Sequence, residues 1–393
     1  MGLIINHQCG HNTNWNIDAF SKNGQGDSLI FSPVNQNRSY IERLGSDIKS
    51  ESMFDPQFYL PNSQKKKLAS YDFFPETIAD GFSTADFGSY ALEAATQCLA
   101  FQVENEFKRV VIPTRFYDQM ITDFVERQDA YTVHPFLEAI ERWGEHPPVY
   151  LTVVLTNHMM RDEKFRSDTL NWLTSYPQVD GVYLIPHVAR NTKQINQSED
   201  IFALLSTAQD IRDSGLEVMV GYQNSENLLC SLVENAELSF GAFENTRIFS
   251  VDRFIENDDD RRGPRPRIYL AGLLNWIQLG QAKQIMRRAP DLWERIYIPT
   301  DQGDAAIAAA VEPTFNQPAL YEHHFECVYS QIKSLADSDV AQRYETLRSM
   351  LREARSIYDE LDNRRIDIER HGDGAHITPW LDAINQFSDR LQG

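Results

Sequence analysis

The sequence predicts an α/β fold: a closed (β/α)8 TIM-like barrel with an inserted lid-like segment and a C-terminal helical extension. Three observations predict it. Apolar, β-branched runs alternate with helix-like runs through the centre of the chain. Strand starts recur at intervals of roughly twenty to thirty-five residues, the spacing of βα units in a parallel sheet. Eight such βα units in roughly 250 residues fit a closed barrel. The alternative is an open doubly wound α/β sheet, which expects a glycine-rich phosphate turn after its first strand. LIFSPVNQN, which follows the first candidate strand, has no glycine.

The elements follow in order. DSLIFSP (27–33) reads as a first strand, SMFDPQFYL (52–60) as a second and KRVVIPT (108–114) as a third. VYLTVVLT (149–156) is almost wholly apolar, as a strand covered on both faces should be. DEKFRSDTLNWLTSYP (162–177) is helical in character, and GVYLIP (181–186) is the fifth strand. In SEDIFALLSTAQDIRDSG (198–215), Ile201, Leu204, Leu205, Ala208 and Ile211 share a helical face, with Ser198 as N-cap and Gly215 ending the helix. LEVMVGY (216–222), ELSFGAF (237–243) and RIYLAGL (267–273) complete eight strands. The predicted organisation is an N-terminal segment over 1–26, a barrel over 27–300 with an insertion at about 61–107, and a helical extension over 301–393. The insertion is aromatic and turn-rich, longer than one crossover needs. The loop ENDDDRRGPRPR (256–267) reads as charged and solvent-exposed. The extension carries charges on the outer faces of its helices, which suits self-association or a protein partner.

Composition narrows the class. With 393 residues, 42% of them hydrophobic and 24% charged, the chain can bury a substantial core and is not of disordered type. A formal net charge of −20 and a pI near 4.9 disfavour nucleic acid and anionic membranes as partners. Cys9, Cys98, Cys230 and Cys327 are widely spaced and form no CxxC pair, which suits free thiols in a reducing compartment. MGLIINHQCGHNTNW lacks the features of a secretory signal, and no stretch is apolar enough to span a bilayer. The expected location is cytoplasmic.

The strand ends supply the candidate site. Asp55 and Glu244 are the carboxyls suited to acid–base or nucleophilic work, and His187 is the imidazole suited to carry a proton. Their structural roles would be a turn-forming Asp before Pro56, a Glu at a helix N-terminus and a hydrogen-bonded rim histidine. Gln57, Asn157, Gln223 and Asn245 offer paired donors and acceptors to a heterocycle or sugar. Tyr59 and Tyr222 offer flat faces. Arg115, Arg190 and Arg247 match a phosphate or carboxylate fork. Within SMFDPQFYLP, alternation puts Asp55, Gln57 and Tyr59 on one side of the strand. The cost of burying a charge among the helices favours the barrel interior.

No GxxxxGK[ST], GxSxG, HExxH or catalytic-cysteine signature occurs, so ATP hydrolysis, α/β-hydrolase chemistry and zinc proteolysis are disfavoured. His7, Cys9 and His11 alternate without an evident fourth ligand, and His323 and Cys327 lie four apart on a helix. Neither group predicts a metal, and no cofactor is expected. The expectation is an enzyme acting on a nucleoside, base or sugar-like small molecule, by glycosyl transfer or hydrolysis through strand-end carboxylates. The alternative is a non-catalytic barrel that binds a ligand or docks into a larger assembly.

Overall fold

In the computed structural model, which describes residues 3–60, 63, 65–74, 84–190, 192–255, 263–311 and 313–392, eight parallel strands wind into a nearly closed barrel with helices between them. The strands are β1 (Ile4–Gln8), β2 (Ser28–Phe31), β3 (Met53–Phe54), β4 (Val110–Ile112), β5 (Val149–Thr156), β6 (Gly181–His187), β7 (Glu217–Val220) and β8 (Glu237–Gly241). Their spatial order is β3-β2-β1-β8-β7-β6-β5-β4. The seam between β3 and β4 is closed by one parallel bridge, Met53 to Arg109, beside a hydrogen bond from the Lys108 N–H to the Ser52 carbonyl at 2.9 Å.

The strand count agrees with the sequence, but its frame moves by one. The chain enters the barrel at Ile4, inside the predicted N-terminal segment 1–26, and RIYLAGL is not a barrel strand. The inward face of β1 is polar: Asn6 bonds to Glu237 at 3.2 Å and Gln8 accepts from the Tyr183 hydroxyl at 2.8 Å. An apolar-run criterion passes over such a strand. Residues 267–270 do adopt extended backbone, as β9 (Arg267–Leu270), but pair antiparallel with β10 (Asn275–Gln278) in a separate ribbon. Local composition specifies an extended segment and leaves its partner open.

Alternation along the strands creates two apolar layers. Ile30, Met53, Val111, Tyr150, Val154, Tyr183, Ile185 and Met219 fill the barrel, while Leu29, Phe31, Phe54, Val110, Ile112 and Leu151 pack outward under the helices. Room for the large interior rings comes from glycines: a side chain at Gly181 would strike Tyr150, and one at Gly221 would strike Tyr183. At the N-terminal end of the barrel Arg109 forms a buried two-point ion pair with Glu237, and its guanidinium lies 4.3 Å over the Tyr150 ring.

Within the predicted insertion, Thr84–Glu104 is the helix that crosses from β3 to β4, and residues 61, 62, 64 and 75–83 lie outside the described residues. The described stretch before that helix buries Tyr71 and Phe73 against Phe54 and Phe101, in the outward layer. Of the loop 256–267, residues 256–262 also lie outside the described residues. After Asp301 the long elements are helical. Pro318–Ala336 packs on Thr13–Ser21 and β9, and Ile377–Gln392 packs on Ser198–Asp213. Trp380 ties the latter helix to the loop before Ser198, donating from Nε1 to the Ile195 carbonyl at 2.7 Å. No described helix is long and apolar enough to cross a membrane.

Candidate functional site

β3 ends sooner than its sequence suggests. It pairs only through Met53 and Phe54, and Gln57 then takes a left-handed backbone (φ +58°). That turn brings Asp55, Gln57 and Tyr59 together at the C-terminal mouth of the barrel. The Asp55 N–H donates to Phe31 across the sheet at 2.8 Å. Its Oδ1 accepts from the Gln57 N–H at 3.0 Å and from the Tyr59 hydroxyl at 2.8 Å. The residue has no solvent exposure.

Burial dominates the ionisation of Asp55 and pushes its pKa up to about 7. The Tyr59 and Gln57 hydrogen bonds and the charge of Arg253 act in the opposite direction. The Tyr222 hydroxyl also reaches the carboxyl and favours its ionised form. Tyr222 itself is reached by the Gln57 amide, Nε2 to hydroxyl, at 2.8 Å. Arg253 stands 4.9 Å over the Tyr222 ring and donates from Nη1 to the Asn245 carbonyl at 2.8 Å.

An aromatic roof covers this group. Phe249 meets Tyr59 and Tyr222 edge-on at 5.2 and 5.4 Å between centroids, and Phe254 meets Tyr59 at 5.6 Å. His187, at the end of β6, touches the roof through Phe116 at 4.8 Å and Phe249 at 5.9 Å. Burial and the charge of Arg190 lower its pKa, favouring the neutral ring.

A second, open cavity of about 610 Å³ lies on the rim, between the segments that follow β1, β6 and β8 and the β9–β10 ribbon. Glu244, Asn245 and Arg247 line it, together with Lys193, Arg265, Arg267 and His11. Glu244 is half-exposed and ion-paired to Lys193. Its burial would raise its pKa, but the Lys193 hydrogen bond and the nearby arginines outweigh that and lower it. Arg247 is buried, lies 4.0 Å over Trp276 and donates to Asn224 at 3.3 Å.

The predicted residues therefore separate into groups. Asp55, Gln57, Tyr59 and Tyr222 form one cluster, with His187 at the edge of its roof. Glu244, Asn245 and Arg247 belong to the rim cavity, whose lining does not include Asp55. The other four have different partners. Arg115 packs 4.7 Å over Tyr131, its backbone held by Gln128 at 2.9 and 2.8 Å. Asn157 bonds to Asp200, Arg190 pairs with Glu226 at 2.8 Å, and Gln223 donates to the Gly221 carbonyl at 3.1 Å. His7 points into the helix layer, where Asn16 meets it at 3.3 Å, whereas His11 faces the rim cavity. Among the described residues no cluster of three or more His, Cys, Asp or Glu side chains could hold a metal ion.

Sequence reasoning passed over Gln8, Lys193, Phe249, Arg253, Arg265 and Arg267. For Arg253 and Phe249 the only signal is IFSVDRF, an unusually apolar stretch for a loop.

Fold and site together define a (β/α)8 barrel with a buried strand-end carboxyl under an aromatic roof and a cationic cavity on its rim. Comparison with protein-family models, curated proteins and solved structures finds no match for the chain.

Proposed function

We propose that the barrel is an enzyme acting at the glycosidic bond of a nucleoside, base or sugar-like substrate, with Asp55 as the reacting carboxyl. The observation that carries this reading is Asp55 itself, a fully buried carboxyl at the C-terminal end of a barrel strand whose pKa burial raises to about 7. Tyr59 and the Gln57 N–H hold Oδ1 and so orient Oδ2. A pKa of about 7 makes both proton donation and nucleophilic attack accessible near neutrality. Gln57 and Tyr222 supply the amide and hydroxyl that would orient a polyhydroxylated or heterocyclic ligand.

Because Asp55 is sealed, this reading requires Phe249 and Phe254 to lift when substrate enters. The test is a panel of nucleosides and aryl glycosides, followed by product release, with the wild-type chain and Asp55→Asn. Turnover lost in the variant while its melting temperature is kept or raised supports the reading. Equal turnover in both overturns it.

One observation favours a second reading, a non-catalytic ligand-binding or docking barrel: the roof leaves Asp55 no exposure, while the rim cavity is open. On that reading ligand binds at the rim and no panel substrate turns over.

A further inference from the structure

We infer that the rim cavity is a binding site for a small phosphate monoester carried on a ring. The proposal does not rest on Asp55 chemistry, since the cavity is lined by other residues.

Charge carries it first. The chain bears a net −20, yet four cationic side chains, Lys193, Arg247, Arg265 and Arg267, line this one concavity. Glu244 offsets one of them through Lys193, and Glu369 offsets another through Arg267. Among the described residues two positive charges remain in excess, which matches a phosphate monoester of about −1.5 to −2 better than a single carboxylate.

Arg247 is the second, independent observation. It is 7% exposed and lines the cavity; its Nε makes no hydrogen bond, and among the described residues no carboxylate lies within ion-pair distance, Glu244 and Glu226 acting on it only at longer range. Its partners are the Asn224 carboxamide and the Trp276 ring, which position the guanidinium without neutralising it. A buried, unpaired arginine is costly unless an anion completes it. The planar fork fits phosphate oxygens in pairs. Beside it, Phe243 and Phe315 form partly exposed apolar walls for the body of the ligand. The volume of about 610 Å³ lies within the ~300–1,000 Å³ of small-molecule sites.

The experiment is isothermal titration of the full chain at low salt with GMP, CMP, guanosine and cytidine, repeated with Arg247→Met, Lys193→Gln and the exposed Arg265→Glu. The expected result is that both nucleotides bind at least about tenfold more tightly than their nucleosides. Each variant should weaken nucleotide binding by about tenfold, and added salt should weaken it further. Arg265→Glu keeps the test informative if Arg247→Met does not fold, because Arg265 is exposed and its hydrogen bond among the described residues is to Gln278, at 3.3 Å. Nucleosides that bind as tightly as nucleotides, no nucleotide binding, or a folded Arg265→Glu chain with wild-type affinity would overturn the proposal.

Discussion

The Gln57 amide donates to the Tyr222 hydroxyl at 2.8 Å, joining two residues that both hold a left-handed backbone, φ +58° and +51°. Each follows the end of a different barrel strand, β3 and β7, and neither is glycine. Such conformations cost on the order of 1–3 kcal/mol each and persist where surrounding contacts over-determine them. Here those contacts are the Asp55 carboxyl, the Gln57–Tyr222 bond and the Phe249 ring. Strain concentrated beside one buried carboxyl is what a site that must hold geometry requires.

The strain can be measured apart from the hydrogen bond. Gln57→Ala and Gln57→Gly both remove the amide, but only glycine relaxes at positive φ. The glycine variant should be the more stable of the two by about 1 kcal/mol in chemical denaturation. An alanine variant as stable as the glycine one would show that the backbone there is unstrained.

Asp55 should make stability depend on pH. Its folded pKa, about 7, lies above its ordinary value of 3.8, so the folded state holds the proton more tightly than the unfolded state. The associated stability is complete below about pH 4, falls between pH 4 and 7, and is gone above. A shift of this size corresponds to roughly 4 kcal/mol. Asparagine keeps an oxygen for Gln57 and Tyr59 but cannot ionise. Asp55→Asn should therefore melt higher than wild type at pH 8, with the difference shrinking toward pH 4. A variant less stable than wild type at pH 8 would assign the carboxylate a structural role.

The same stretch shows what a sequence can and cannot reveal. An aspartate among Met53, Phe54 and Phe58 beside Pro56 stands out locally, and burial cost alone places it inward. VYLTVVLT and GVYLIP are equally plain, because strands covered on both faces carry apolar residues on both. β1 is hidden because Asn6 and Gln8 exchange their apolar signal for partners on β8 and β6, which only the closed barrel supplies. From the segment after β8, Phe249 reaches Tyr59 and Tyr222 and the charge of Arg253 reaches Asp55, relations set by ring closure rather than by sequence distance. Lys193, Arg265 and Arg267 look like ordinary loop charges until the fold turns them toward one cavity.

At the opposite end of the barrel, Arg109 and Glu237 are both buried and doubly bonded, with Asn6 as a further donor. Arg109→Met should cost roughly 3–5 kcal/mol, because it strands the Glu237 charge. Adding Glu237→Leu should recover most of that loss, since an apolar pair of similar volume replaces both ions. Guanidinium denaturation of the single and double variants checks it. A double variant no more stable than the single would mean that the ions define the closure of the barrel floor.

Arg253 ties the two regions together, bonding the Asn245 carbonyl at the cavity rim while its charge favours the ionised form of Asp55. Arg253→Met should therefore raise the Asp55 pKa above its present value near 7, extending the pH range over which stability falls. If Asp55 reacts as a carboxylate, the rising limb of its pH–rate profile should move upward with it. The Arg253→Met/Asp55→Asn double variant separates this electrostatic effect from lost packing over Tyr222. Relative to Asp55→Asn alone, it should lose a constant amount of stability at every pH. A pH-dependent difference that survives the loss of the carboxyl would place the titrating group elsewhere, with His187 the nearest alternative in the roof.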